Sequence, residues 1–138
     1  MTEPGNSTHS GKLLILVVER DPHVRELEAH FLNQAGFAVE FAGDGHVALE
    51  IARRSVPDVI ITEILVPKLD GLALCRALKS DPLTRKVRVL IFSILSASGR
   101  AREAGADAFL MKPLAEKRLI GTVHELLEQR AKEENVHP

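Results

Sequence analysis

Short runs of branched apolar residues, separated by longer stretches of helical periodicity, constrain this chain more than any other feature. LLILVV (13–18), VIIT (59–62), VRVLIFS (87–93) and AFLM (108–111) are apolar at nearly every position. Successive side chains of a strand point to opposite faces, so a strand written this way must be covered on both sides. FAVEFA (37–42) alternates instead and reads as a strand with one more polar side.

Between these runs the period changes to that of a helix. Asp21 and Pro22 open the first as N-cap and first helical residue. Its apolar stripe is Val24, Leu27, Phe31, Leu32 and Ala35, and Gly36 ends it. Asp44-Gly45 opens the second, with Val47, Ala48, Ile51 and Ala52 inward. The third covers about 72–79 with Leu72, Cys75 and Leu78 on one side, and the fourth about 97–104, ending at Gly105. The fifth covers about 116–132, striped by Leu119, Ile120, Val123, Leu126 and Leu127. Five strands alternating with five helices imply an α/β fold: a parallel sheet with helices on both faces and right-handed crossovers. Residues 1–11 form a polar lead-in, 12–132 one domain, and 133–138 (EENVHP) a polar tail.

Composition narrows the function. At 138 residues with a net charge of −1, the chain has no basic excess to hold nucleic acid directly. TRKVR and GRARE lie close to acids and read as solvated faces. The single cysteine, Cys75, falls on an apolar helix side, where a buried, inert thiol and a reducing cytoplasm are expected. No apolar run is long enough to cross a membrane, and MTEPGNSTHSGK lacks a signal-peptide core. Strand one is followed by ERDPH rather than a glycine-rich phosphate loop. His9 and His137 lie near the ends, and His23, His30, His46 and His124 at helix-surface positions, so no histidine metal cluster is expected.

In doubly wound sheets, sites form outside the carboxyl ends of the strands. The residues there are Glu19 and Arg20 after strand one, Glu63 ending strand three, Ser93 ending strand four and Lys112 after strand five. Each directly follows an apolar run, and together they converge on one edge.

These residues carry a resemblance. ILVVERD, GDGHVALE, PDVIITEILVPKLDG, LIFS and AGADAFLMKPL together resemble a response-regulator receiver domain of two-component signalling, over about 12–132. The resemblance implies a flavodoxin-like, doubly wound five-stranded parallel sheet of order 2-1-3-4-5 with five helices. In a typical receiver an aspartate ends strand three and accepts a phosphoryl group. Two acids after strand one help hold magnesium, a serine or threonine ends strand four, and an aromatic on strand five turns with it. A lysine after strand five precedes a proline, usually through a cis peptide. The matching positions are Glu63, Glu19 and Arg20, Ser93, Phe109, and Lys112-Pro113.

Four features depart from that pattern. Glu63 is longer than aspartate by one methylene, about 1.5 Å. In-line transfer needs reacting atoms about 3–3.5 Å apart, so phosphorylation at Glu63 is not expected. Arg20 replaces a magnesium-binding acid with a cation that has no lone pair. Only Glu19, Glu63 and the Leu65 backbone would remain as magnesium ligands, and no cofactor is expected. Ile94 stands where receivers carry a small residue and is expected to narrow the pocket, while Leu65 offers nothing to position a water. The Ser93–Lys112 interval is short by about one helical turn, which shortens helix four.

The expectation is therefore a non-enzymatic, degenerate receiver: a phosphorylation-independent protein-interaction module. A Glu63–Lys112 ion pair is predicted, with Arg20 standing in for the metal near Glu19 or Glu63. The alternatives are a working phosphoacceptor in a phosphorelay and a constitutively active mimic of the phosphorylated state. The resemblance implies protein partners (a sensor kinase, an output protein or a second copy) meeting the face of helix four, strand five and helix five.

Overall fold

The structure is a computed structural model that describes residues 11–135. The strands are β1 (Leu14–Val18), β2 (Ala38–Ala42), β3 (Val59–Thr62), β4 (Arg88–Ser93) and β5 (Ala108–Met111). The helices are α1 (Pro22–Gln34), α2 (Gly45–Ser55), α3 (Gly71–Ser80), α4 (Ser98–Glu103) and α5 (Glu116–Asn135). All strand pairs are parallel, in the order β2-β1-β3-β4-β5. This is the flavodoxin-like order, with five helices and a fourth of six residues.

The apolar runs divide by parity into two cores. Leu16, Val18, Ile60, Val89 and Ile91 face α2, α3 and α4, meeting Ala48, Ala52, Leu74, Cys75, Leu78 and Ala101. Ile15, Val17, Ile61, Leu90 and Phe92 face α1 and α5, meeting Leu32, Leu119, Val123 and Leu126. Burying a side chain of this size contributes about 1.5–3 kcal/mol. Burial also pushes the Cys75 thiol up to about 11, which makes it inert at neutral pH.

Aspartates start three of the helices. Asp21, Asp44 and Asp70 accept hydrogen bonds from His23, Val47 and Ala73 N–H groups that no helical carbonyl reaches. Gly36, with φ at 96°, takes the left-handed turn after α1.

Three stripe assignments change. Leu27, Ala35 and Val47 are exposed, and the α1 stripe runs instead through Val24, Glu28 and Leu32. That spacing of four keeps the three side chains above one another on one face. The C-terminal boundary moves as well. α5 continues past Lys132 to Asn135 because Glu133 pairs with Arg88 and Glu134 with Arg130. The expected lead-in over 1–10, with His9, and the last tail residues 136–138, with His137, lie outside the described residues. His23, His30, His46 and His124 are exposed.

Candidate functional site

The carboxyl ends of β1, β3, β4 and β5 bring Glu19, Glu63, Ser93 and Lys112 together. Backbone bonds fix their heights. The Glu63 N–H donates to Val18 O at 3.0 Å, and the Lys112 N–H to Ser93 O at 2.8 Å. Thus each side chain leaves the sheet just beyond its last ladder bond. The β3–α3 loop is held closely behind Glu63. A Cβ on Gly71 would stand 2.3 Å from the Glu63 carbonyl oxygen, so only glycine fits there.

Glu63 is buried and saturated. Its Oε1 accepts from the Ile64 N–H at 2.6 Å, the Leu65 N–H at 3.4 Å and the Ser93 hydroxyl. Its Oε2 accepts from the Ile94 N–H at 3.3 Å and pairs with Lys112 Nζ at 3.1 Å. A carboxylate offers about four lone-pair positions. Five donors leave none free. Burial acts to raise the Glu63 pKa, but Ser93, Lys112 and the Ile64 N–H outweigh it and hold the carboxyl below its usual range.

Lys112 is the hub. Its ammonium lies 2.8 Å from Glu19 Oε1 and 3.1 Å from Glu63 Oε2, and 5.6 Å from the centre of the Phe92 ring. Burial acts to lower its pKa, and the two carboxylates more than reverse that, so it stays charged. Glu19 also takes the Asp21 N–H at 3.1 Å on its other oxygen. The peptide before Pro113 is cis.

Arg20 does not take the place expected of it. It is exposed and makes no ion pair among the described residues. Lys112 already pairs with both acids, so a guanidinium brought into the pocket would have to be desolvated for acids that are each already hydrogen-bonded to an ammonium. Ile94 also differs. Its side chain is 60% exposed and lines an open groove of about 540 Å³ with Val24, Leu27, Phe92, Lys112, Pro113 and Leu114. What it brings to the pocket is its N–H. Leu65 is exposed and likewise reaches Glu63 through its N–H. Phe109 packs inward against the core on the α4 side and lines a cleft of about 300 Å³ with Ser98, Ala101, Arg102 and Asp107.

Sequence reasoning passed over one residue, Glu28. It is 1% exposed and its Oε1 has no hydrogen-bond partner. Burial, then the charge of Glu19, raises its pKa to about 8, and Glu63 adds to this while Lys112 opposes it. The signal was in the spacing, an acid four residues after Val24 and four before Leu32.

A sheet of this order, with a carboxylate, a hydroxyl and a lysine at its carboxyl edge, defines a signalling receiver. The family model for the response regulator receiver domain matches residues 15–124, and the chain belongs to that family. Response regulator PleD of Caulobacter vibrioides is 36% identical over 116 residues, which cover 82% of this chain and 25% of that protein. Response regulator MprA of Mycobacterium leprae is 38% identical over 114 residues, 82% of this chain and 50% of that protein. The chain thus spans between a quarter and a half of these curated relatives. Among solved structures, the signal receiver domain of a signal transduction histidine kinase from Syntrophus aciditrophicus superposes with a TM-score of 0.79. That pair is 37% identical, covering 84% of this chain and 90% of the other. Among the described residues no helix is long and apolar enough to cross a membrane.

Proposed function

We propose that this receiver passes signals by protein contact without accepting a phosphoryl group. The observation that carries this reading is the saturation of Glu63. A nucleophile must present a lone pair in line with the donor phosphorus. Both oxygens of Glu63 are committed, to three backbone N–H groups, a hydroxyl and an ammonium. The same occupancy argues against magnesium. The ion demands near-octahedral oxygen donors. Here the ammonium of Lys112 lies between the two acids, and Arg20 offers no oxygen. The residues do not fit the ion, and no step is routed through it. Sensor kinases, output proteins or a second copy are the partners, met in the cytoplasm at the face of α4, β5 and α5.

Incubation with acetyl phosphate and magnesium, followed by intact-mass measurement, tests this. No adduct is expected. A mass gain of one phosphoryl group that disappears in Glu63→Gln overturns the reading.

One observation favours a second reading, in which the module is permanently in its signalling state. Ser93 already donates to Glu63, and Phe109 is packed inward, the arrangement expected if Glu63 imitates a phosphorylated acceptor. The imitation is partial, since a phosphoryl group brings about −1.5 to −2 charge and three acceptor oxygens. In Glu63→Gln, side-chain NMR of Phe109 separates the readings. An unchanged ring environment supports a fixed structural cluster, and a ring released toward solvent supports the mimic.

A further inference from the structure

The α1 stripe places an ionisable carboxyl where apolar packing calls for a hydrocarbon. Val24 and Leu32, one turn to either side of Glu28, both belong to the core shared with Ile15, Val17, Phe92, Leu119 and Val123. The first of these, Val24, also lines the groove that Lys112 borders. Glu28 therefore lies one helical turn from the wall of the pocket, is closed to solvent, and leaves Oε1 without a donor. A buried, unpartnered oxygen is destabilising, so the position is not explained by stability.

The charged groups that act on Glu28 come from three strand ends: Glu19 after β1, Glu63 after β3 and Lys112 after β5. β2 also packs on α1, but its Glu40 pairs in register with Leu16 and belongs to the opposite sheet face, while Val39 faces this core. α5 offers Leu119 and Val123 inward, and its His124 is exposed beside Phe37. On α1 itself His23, Glu26 and His30 are exposed, and Arg25 donates to the Glu19 carbonyl. The local set is thus three acids against one buried cation.

We propose that Glu28 makes this pocket responsive to protons: when its carboxyl releases its proton to a solvent base, the Lys112 ammonium is drawn off Glu63 toward the new charge. In the protonated state Lys112 serves Glu19 and Glu63, and Glu63 holds Ser93 and Ile94. In the ionised state three carboxylates compete for one ammonium, and Glu63 loses a share of its compensation. Ser93 and the Ile94 amide then readjust, which changes the rim of the groove formed by Leu27, Ile94 and Pro113. The raised pKa of Glu28, about 8, puts this transition just above neutrality. The inference rests on the geometry of the pocket and not on the absence of phosphoryl transfer.

The test is an NMR titration of the full chain from pH 5 to 10, following the Glu28 side-chain carbonyl carbon and the Ile64, Leu65 and Ile94 amides. The expected result is one shared midpoint near pH 8 for all four signals, with the amide inflection lost in Glu28→Gln. Should that variant fold poorly, Glu28→Leu carries the same comparison. Three outcomes overturn the proposal: a Glu28 midpoint below pH 6, amides that stay still while Glu28 titrates, or an inflection that persists in both variants.

Discussion

The two edges of the sheet are both charged, and they are built on opposite plans. At the amino edge every buried charge meets its opposite. Asp107 accepts from Lys79 at 2.8 Å, Arg88 at 3.2 Å and the Val89 N–H at 2.8 Å. Asp58 takes Arg130 at 3.1 Å and the Leu14 N–H at 2.8 Å, and Arg88 reaches Glu133 on α5. These bonds tie α3 and α5 to the starts of β1, β4 and β5. At the carboxyl edge Glu19, Glu28 and Glu63 share only Lys112 as a buried partner. A matched network fixes one arrangement, whereas a mismatched one holds alternatives within a few kcal/mol and can be biased.

The comparison breaks most visibly at Asp107. Asp107→Ala leaves Arg88, 8% exposed, without its inner carboxylate and frees a strand N–H. Removing one member of a buried pair costs about 3–5 kcal/mol. About 5 kcal/mol is expected here because two cations and a strand N–H lose the same acceptor, although Arg88 keeps Glu133 and Lys79 keeps the Val87 carbonyl. Urea unfolding at pH 7 measures it. A loss below 1 kcal/mol would show that the amino edge is ornamental. At the other edge Lys112→Met strands Glu19 and Glu63, both nearly closed to solvent. The expected loss is about 4 kcal/mol, somewhat less because stranded acids can take up protons. With the ammonium gone, burial is opposed at Glu63 only by Ser93 and backbone N–H groups, and its folded-state pKa would then exceed the unfolded one. The loss must therefore grow as pH rises from 5 to 8, and a pH-independent loss would contradict it.

The two edges were not equally legible in the sequence. The carboxyl edge could be read because each of its polar residues ends an apolar run, and strand ends in a parallel sheet share one side by topology. Glu63, Ser93 and Lys112 converge for that reason. What topology does not set is where a side chain turns after leaving the sheet, and so Arg20 was assigned to the pocket while it points to water. The amino edge was hidden. Arg88 sits inside VRVLIFS and passes for an interruption of a strand, while its partner Glu133 is 45 residues away. No local period reports a contact at that range. Glu28 is hidden for a different reason: an apolar stripe of Val24, Leu27, Phe31, Leu32 and Ala35 counts hydrocarbon only, and so passes over an acid that stands four residues from both Val24 and Leu32.

Within the carboxyl edge Glu63 and Glu28 respond to pH with opposite sign. Glu63 is held below its ordinary pKa, so its contribution is present above about pH 4.5 and is lost on acidification. Glu28, at about 8 against an ordinary 4.5, behaves in reverse. Below pH 4.5 both folded and unfolded states carry its proton and nothing is lost. Between 4.5 and 8 only the unfolded state ionises, and stability falls by about 1.4 kcal/mol per unit. Glu28→Leu removes that slope and fills the stripe, and it is expected to stabilise the domain by roughly 3 kcal/mol at pH 7. Thermal melts of both proteins should lie closest near pH 4.5, where only the pH-independent gain of filling the stripe remains, and diverge towards pH 8. A gap of constant size would mean that Glu28 is already ionised in the fold.

The smallest test returns to the amino edge, where one strained residue stands among the matched charges. Val56 ends α2 in the left-handed region, at φ 44° and ψ 71°, with its N–H bonded to Ala52 O. A side chain there crowds the following carbonyl, and branching at Cβ makes it worse, at a cost of about 1–2 kcal/mol. Glycine adopts this conformation freely but loses up to about 1 kcal/mol more backbone entropy on folding. Val56 is partly exposed, so little buried surface disappears with the isopropyl group. Val56→Gly is therefore expected to stabilise the domain by about 0.5 kcal/mol, seen as a small rise in the urea midpoint with an unchanged slope. Because α2 ends beside the start of β3, at the opposite end of that strand from Glu63, and carries none of the pocket residues, the Glu28 titration should keep its midpoint. A shift of that midpoint in Val56→Gly would mean that the two edges communicate through the sheet, and the matched edge would then be part of the switch instead of its anchor.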